Sequence, residues 1–189
     1  MIDVGLKEWA SVCELMVEGR AALLLRKGGI HESGGPGVFE LEHRRFVLFP
    51  SWLHQRPEGV KPALAGRVRV YGQEPGEVTL TGWGEVARVW RVPSRAAFDR
   101  LDDLHPWSPQ QVDMRFGYKP ERPLYLVAVR AWRLPSPRVI ANHAEYAGCR
   151  SWVPLRPGDG VDESGSTPAI APAAFEAMVE RVAEEMGKG

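Results

Sequence analysis

Residues 123–134 read PLYLVAVRAWRL and form the most hydrophobic extended segment of the chain. A run that is apolar on both faces predicts a buried strand. Arg130 interrupts this run on the face that it would share with Leu126 and Trp132. A charge on such a face needs a partner or lines a pocket. We expect an ion pair with Glu85 or Glu145, and contact with a ligand is the alternative.

Other extended segments surround this one. Apolar runs predict buried strands at 21–25 and 46–49, and further strands are expected at 84–92 and 151–155. The segments RVRVY (67–71) and EVTLT (77–81) alternate with period two across a Gly/Pro turn, which predicts a β-hairpin. Amphipathic patterns predict helices over 4–18, 94–104 and 172–187.

This order of elements lacks regular strand–helix–strand alternation. It favours an α+β domain with a mostly antiparallel or mixed sheet, curled toward a small barrel, with a helix at each end. We expect one domain over 1–155, a linker over 156–169 and an acidic C-terminal helix over 170–189 packed on the domain.

Composition restricts the class of protein. The 189 residues are 44% hydrophobic and 25% charged, which is typical of a globular chain. No apolar run is long enough to cross a bilayer, and the N-terminus lacks the pattern of a secretory signal, so we expect a cytoplasmic protein without a membrane partner. Cys13 and Cys149 are far apart in sequence, which argues against a disulfide framework or a zinc ribbon. The formal charge is zero overall, but it is +5 over 1–158 and −5 over 159–189.

Basic residues and glycines meet at the end of the predicted strand 21–25. Arg26 and Lys27 supply charge, and Gly28 and Gly29 let backbone N–H groups approach an anion; His31 follows them. The segment is not a P-loop, because the Gly-Lys-Ser/Thr ending is absent. A surface turn and an anion-binding turn both remain open here.

Catalytic and metal-binding signatures are missing. There is no G-x-S-x-G, and the spacing of His31, His43 and His54 matches no metal site, so we expect neither a metal nor a cofactor. His54 and Gln55 follow strand 46–49 directly, where ligand-contacting loops often lie. We therefore keep both as candidate binding residues.

Aromatic residues near predicted loops give a further set of candidates. Trp52 is one of several tryptophans expected in or beside loops, where aromatic rings can stack on a base or pack at the rim of the core. Residues 115–120 read RFGYKP, and there Arg115 and Lys119 alternate with aromatic rings. Such interleaving suits a nucleic-acid backbone with stacked bases, and it also suits an ordinary loop.

Several of these segments resemble an uncharacterised bacterial family, the domain of unknown function 1802. The resembling residues are Glu8-Trp9-Ala10, Leu24 to Ile30, Phe46 to Pro50 with His54-Gln55, and Pro123-Leu124-Tyr125 running into Arg130. They span roughly residues 5–155. Ser51 stands where the family usually has threonine, which keeps the hydroxyl group.

The family has no established activity, so the resemblance implies function only indirectly. Relatives are fused to Mrr-type restriction endonuclease domains, which implies a setting of restriction or DNA defence; no such domain is present in these 189 residues. The implied fold is similar to the PUA-like barrels, which read modified bases or RNA. Fold analogy alone is a weak warrant for function.

The leading prediction is a non-catalytic module that binds nucleic acid, DNA or RNA, or reads a modified base. Arg26, Lys27, Arg115 and Lys119 would contact phosphates, and His54, Gln55 and Trp52 would contact a base. One alternative is an unrecognised enzyme acting on nucleic acid or a small phosphorylated ligand, in which His31, Glu32, His43 and His54 would converge in one pocket. Another is an interaction subunit that docks through its acidic C-terminal helix.

Overall fold

The computed structural model describes residues 1–27 and 40–188, and it confirms the α+β class. The strands are β1 (Val4–Trp9), β2 (Leu23–Arg26), β3 (Arg45–Ser51), β4 (Glu77–Arg91), β5 (Tyr125–Ala141), β6 (Trp152–Pro154) and β7 (Thr167–Pro168). The α-helices are α1 (Ala10–Val17), α2 (Arg95–Asp99), α3 (Pro109–Gly117) and α4 (Pro172–Gly187). Short 3-10 turns cover Pro57–Gly59, Pro62–Arg67, Asp102–Leu104 and Ala144–Tyr146.

One mixed sheet organises the molecule. Its strand order is β2-β5-β4-β3-β1-β6, and β7 adds to β5. The β1–β3 pair is parallel and the other pairs are antiparallel. The sheet curls into a half-barrel, so its two edge strands, β2 and β6, turn toward each other.

The long β4–β5 pair gives the sheet its curl. Its register shifts between Leu80 and Gly82 and again between Val86 and Arg88. Such irregularities bend a strand and increase its twist. Trp83 lies opposite Trp132 in this pair, and their rings stack with centroids 4.0 Å apart. Because stacked aromatic pairs stabilise neighbouring strands, this contact fixes the register in the middle of the sheet.

The prediction of one helix over 4–18 is wrong in its first half. Residues Val4–Trp9 form β1, which lies between β3 and β6 and is buried on both faces. A short strand without an exposed face shows no period-two signal, so the apolar spacing of the following helix dominated the pattern. Gly5 permits the close β1–β3 approach, because a Cβ there would lie 2.9 Å from the Cβ of Phe49.

The predicted hairpin of 67–71 with 77–81 is also wrong. Among residues 67–71 only Val68 is buried, and the segment forms no strand. The segment 77–81 instead continues into 84–91 as the single strand β4, whose long partner is β5. Alternation predicts a strand only where one face gains burial, and the side chains at 69–71 gain none.

Residues beyond β6 run back over the sheet. Val161 exchanges backbone hydrogen bonds with Ile2, and β7 pairs with β5. Helix α4 then buries Phe175, Val182 and Met186 against the domain. Within residues 1–27 and 40–188, no helix is long and apolar enough to cross a membrane.

Candidate ligand-binding cavity

A concave site, here called the central cavity, lies where the two edges of the sheet approach each other. Its volume is about 590 Å³. It is lined by the ends of β1, β2 and β3, one face of α3, and loop residues within 53–54, 74–76 and 142–151. This volume lies in the range typical of small-molecule and cofactor pockets.

A buried ion pair forms one wall of the central cavity. Arg26 Nη1 donates to Glu8 Oε2 over 3.1 Å, and Arg26 Nη2 donates to Ser151 Oγ over 2.7 Å. Glu8 Oε1 accepts from the backbone N–H of Trp9 over 2.8 Å. Each charge is thus paired and hydrogen-bonded, as a buried charge must be. Arg26 therefore links β2 to β1 and to the residue before β6.

Lys27 anchors the helix that forms a second wall. Its Nζ donates to the backbone carbonyls of Arg115 and Phe116, both over 3.3 Å, at the C-terminal end of α3. A cation at this end also favours the helix dipole. Lys27 is buried, and burial lowers the pKa of its ammonium group.

Gln111 projects from the first turn of α3 into the central cavity and is only 1% exposed. Ser108 caps this helix by accepting from the Gln111 backbone N–H, and Pro109 begins it. The Gln111 Oε1 atom accepts from Arg56, but its Nε2 has no partner among the described residues. An unpaired buried donor costs stability unless a ligand or water accepts from it.

Arg115 lies one helical turn after Gln111, on the same face of α3. It is half-buried and lines the central cavity, and its guanidinium forms no hydrogen bond or ion pair with any described residue. Burial lowers the pKa of Arg115, opposed by Glu8 and reinforced by Arg26. Gln111 and Arg115 together therefore present unused donors to the cavity.

The opposite wall is held by Glu74. Its carboxylate accepts from Ser51 Oγ over 2.5 Å and from the backbone N–H groups of Trp52 and Leu53 over 3.0 and 3.3 Å. Lys7 faces this wall and donates to the carbonyls of Tyr146 and Gly148. Burial lowers the pKa of Lys7, and the charge of Glu74 opposes that shift.

The charge of the lining favours an anion. Five Lys or Arg side chains line the central cavity against two glutamates, and both glutamates already accept several hydrogen bonds. Arg150 adds a buried Nε without a partner among the described residues. Low-dielectric walls of one charge sign concentrate ligands of the other sign. In the described part of the chain, no group of three or more His, Cys, Asp or Glu side chains is placed to hold a metal ion.

The structure brings some of the sequence-predicted candidates together in this cavity. Arg26, Lys27, His54 and Arg115 all line it. His54 is exposed and adopts the left-handed backbone conformation, with φ of 67°. Gly28, Gly29, His31 and Glu32 lie outside the described residues.

Other candidates lie outside the lining. Gln55 is buried behind the wall, where its side chain bonds Ser11 and the carbonyl of Arg69. Trp52 contacts the ring of Tyr71 edge to face and does not line the cavity. The Lys119 ammonium lies over the ring of Tyr118, 5.5 Å from its centroid.

Arg130 lies at a different place, on β5 beneath α4. Its guanidinium pairs with Glu176 and lies 4.6 Å from the centroid of the Phe175 ring. The expectation of an ion pair was right, but the expected partners Glu85 and Glu145 were wrong. Arg130 lies opposite Glu85 in the β4–β5 register, but its ion-pair partner is Glu176 of α4. Glu145 pairs with Arg156 instead.

His43, Trp107 and Trp152 pack against other aromatic side chains. His43 contacts Trp152 edge to face, and Trp152 contacts Phe46 in the same way. Trp107 is buried against Trp9. His43 does not line the central cavity, so the described residues do not bring His43 and His54 together as the enzyme alternative requires.

Comparison with known proteins places the chain in a family. The model of a domain of unknown function, DUF1802, matches residues 5–181. The chain belongs to this family. The DUF1802 match extends beyond the segments that carry the sequence resemblance and includes most of α4.

The DUF1802 chain is similar to one solved structure, the ZmASCH S128A mutant protein from Zymomonas mobilis. The two are 12% identical, with a TM-score of 0.46, over 82% of this chain and 92% of that one. No curated protein matches the DUF1802 chain.

Proposed function

We propose that this protein is a nucleic-acid-binding module that seats one nucleotide in the central cavity. The single observation that carries the proposal is the unused donor face of α3. Gln111 Nε2 is buried without a partner among the described residues, and the Arg115 guanidinium one turn away forms no described bond. A nucleotide offers acceptors for both, on its base edge and on its phosphate.

Size and charge support the same ligand class. A cavity of about 590 Å³ has room for a base with its sugar and phosphate. The excess of Lys and Arg in the lining favours a phosphate-bearing ligand. Tyr118, which is exposed and lines the cavity, adds an aromatic ring on which an extruded base can stack. The reading of modified bases, in a setting of restriction or DNA defence, is part of this proposal and rests on the family resemblance.

Fluorescence anisotropy tests the proposal with labelled DNA and RNA, single- and double-stranded, with unmodified or methylated bases, across a salt series. We expect binding that persists at about 150 mM salt, because contacts to phosphates alone weaken steeply with salt. Arg115→Ala should weaken that binding about tenfold or more.

The matched control is Arg20→Ala, which removes the same charge from an exposed position outside the cavity. It should bind as the wild type does. Absence of binding to every probe, or equal binding by the Arg115→Ala protein, would reject the proposed function.

A further inference from the structure

The segment before Glu74 carries exposed apolar side chains that do not line the cavity. Val70 is 62% exposed and Tyr71 is 46% exposed. The Tyr71 ring contacts Trp52 edge to face, with centroids 6.2 Å apart. We call Trp52 and Tyr71 the aromatic platform. Exposed aromatic surface next to a ligand cavity is typical of an interaction site.

This platform is held rigidly to the central cavity. Glu74 binds the backbone N–H groups of Trp52 and Leu53, and Gln55 Nε2 donates to the carbonyl of Arg69 over 2.5 Å. The segments 51–55 and 69–74 therefore form one unit, with Leu53, His54 and Glu74 lining the cavity. Within the aromatic platform, Tyr71 is the exposed ring, and Trp52 contacts it edge to face.

Two cations connect the cavity to the platform. Arg56 is exposed, and its guanidinium lies 3.3 Å from Gln111 Oε1 at the cavity. Arg69 is exposed and lies two residues before Tyr71 in the chain. Neither residue has a carboxylate partner among the described residues; Arg56 donates to Gln111 and to Met114 Sδ. Arginines whose charge is not paired with a carboxylate, beside an aromatic pair, are complementary to a sugar–phosphate backbone with unstacked bases.

We propose that the protein binds a single strand across the mouth of the cavity, with the nucleotide next to the seated one stacked on the ring of Tyr71, which Trp52 supports edge to face. This inference rests on the proposed function and names its substrate class: a single-stranded oligonucleotide rather than a free nucleotide or an intact duplex. Arg56 and Arg69 contact the phosphates between the two positions. A duplex should bind more weakly than a single strand, because its bases must first be unpaired and unstacked to reach the cavity and the platform.

Anisotropy titrations of a labelled single-stranded decamer, and of the same sequence as a duplex, test this inference. Tyr71→Ala should weaken binding of the single strand about tenfold, and Tyr71→Phe should restore it, because a phenyl ring retains the stacking face. Arg56→Ala/Arg69→Ala should reduce the slope of log affinity against log salt by about one to two. Val139→Ala, which trims an exposed apolar side chain outside the cavity, is the control.

The outcomes separate the two proposals. If Arg115→Ala weakens binding but Tyr71→Ala does not, the aromatic platform is overturned and the cavity stands. If neither Arg115→Ala nor Tyr71→Ala changes the affinity, or the wild type binds no nucleic acid, both proposals are overturned. Equal affinity for the duplex and the single strand would overturn the single-strand inference alone.

Discussion

Arg26 bonds Glu8 across the open side of the sheet, joining edge strand β2 to β1 near the opposite edge. The same guanidinium reaches Ser151, the residue before β6. Backbone pairing does not join these edges in the described residues, so side chains close the half-barrel there. This closure also forms a wall of the central cavity, which makes the stability of the fold and the shape of the site depend on the same pair.

Removing one partner of that pair should be strongly destabilising. Glu8→Gln leaves the Arg26 charge buried without a counter-charge, and we expect a loss of about 3–5 kcal/mol in the free energy of unfolding. The double variant Glu8→Leu/Arg26→Met should lose less than Glu8→Gln, because no uncompensated charge remains. Urea denaturation of the wild type and these two variants measures the differences. A loss below about 1 kcal/mol for Glu8→Gln would contradict the role of the pair.

Replacing Gln111 should weaken ligand binding without lowering the stability of the fold. Gln111→Leu removes a buried donor that has no described partner, so the unfolding free energy should stay unchanged or rise by up to about 1 kcal/mol. Binding of the single-stranded decamer should fall about tenfold, because the donor to the ligand is lost.

The control for Gln111→Leu lies on the same helix. Gln110 is exposed and outside the lining, so Gln110→Leu should leave the affinity unchanged. Thermal unfolding and anisotropy on both variants give the two readouts. A clear fall in stability for Gln111→Leu without any change in affinity would show that the side chain is purely structural.

His105 should make stability depend on pH. It is buried against Phe98, and burial lowers the pKa of its imidazole to about 4, with Lys61 adding to the shift and Asp102 opposing it. The unfolded chain takes up this proton near pH 6.5, whereas the folded chain takes it up near pH 4. Stability should therefore fall as the pH drops from about 6.5 to about 4, by about 3 kcal/mol in total.

The variant His105→Phe isolates this effect. It keeps a ring against Phe98 and removes the titrating group. The difference in unfolding free energy between wild type and variant should change over that pH window and be flat above pH 7. A difference that is constant between pH 4 and 7 would contradict the buried neutral imidazole.

Sequence patterns captured the fold where a continuous apolar run stood apart from any helical periodicity. The strands around 23–26, 45–51 and 125–134 follow directly from their apolar composition. Strand β1 could not be separated from α1, because its burial on both faces depends on β3 and β6, which are distant in sequence. Chain-local patterns carry no information about such partners.

The candidate site was predicted only in part, for a similar reason. Arg115 was found from its basic and aromatic neighbours, but as a loop residue rather than as part of α3. Gln111 was missed, although Ser108-Pro109 followed by Gln111 is a helix-start signal that would have placed it one turn before Arg115. Arg26 is paired with Glu8, and Lys27 donates to a carbonyl at the end of α3. Both contacts join residues that are distant in sequence, so no local pattern shows them.

Cys149 offers a direct test of whether the ligand occupies the central cavity. It is exposed and lines the cavity, whereas Cys13 is buried, so a thiol reagent should modify Cys149 selectively in the folded protein. Cys149→Ser provides the blank for the reaction. We predict that saturating single-stranded decamer slows alkylation of Cys149 several-fold and leaves that of Cys13 unchanged. Saturated binding with an unchanged rate at Cys149 would contradict the account, because the nucleic acid would then be bound elsewhere on the protein.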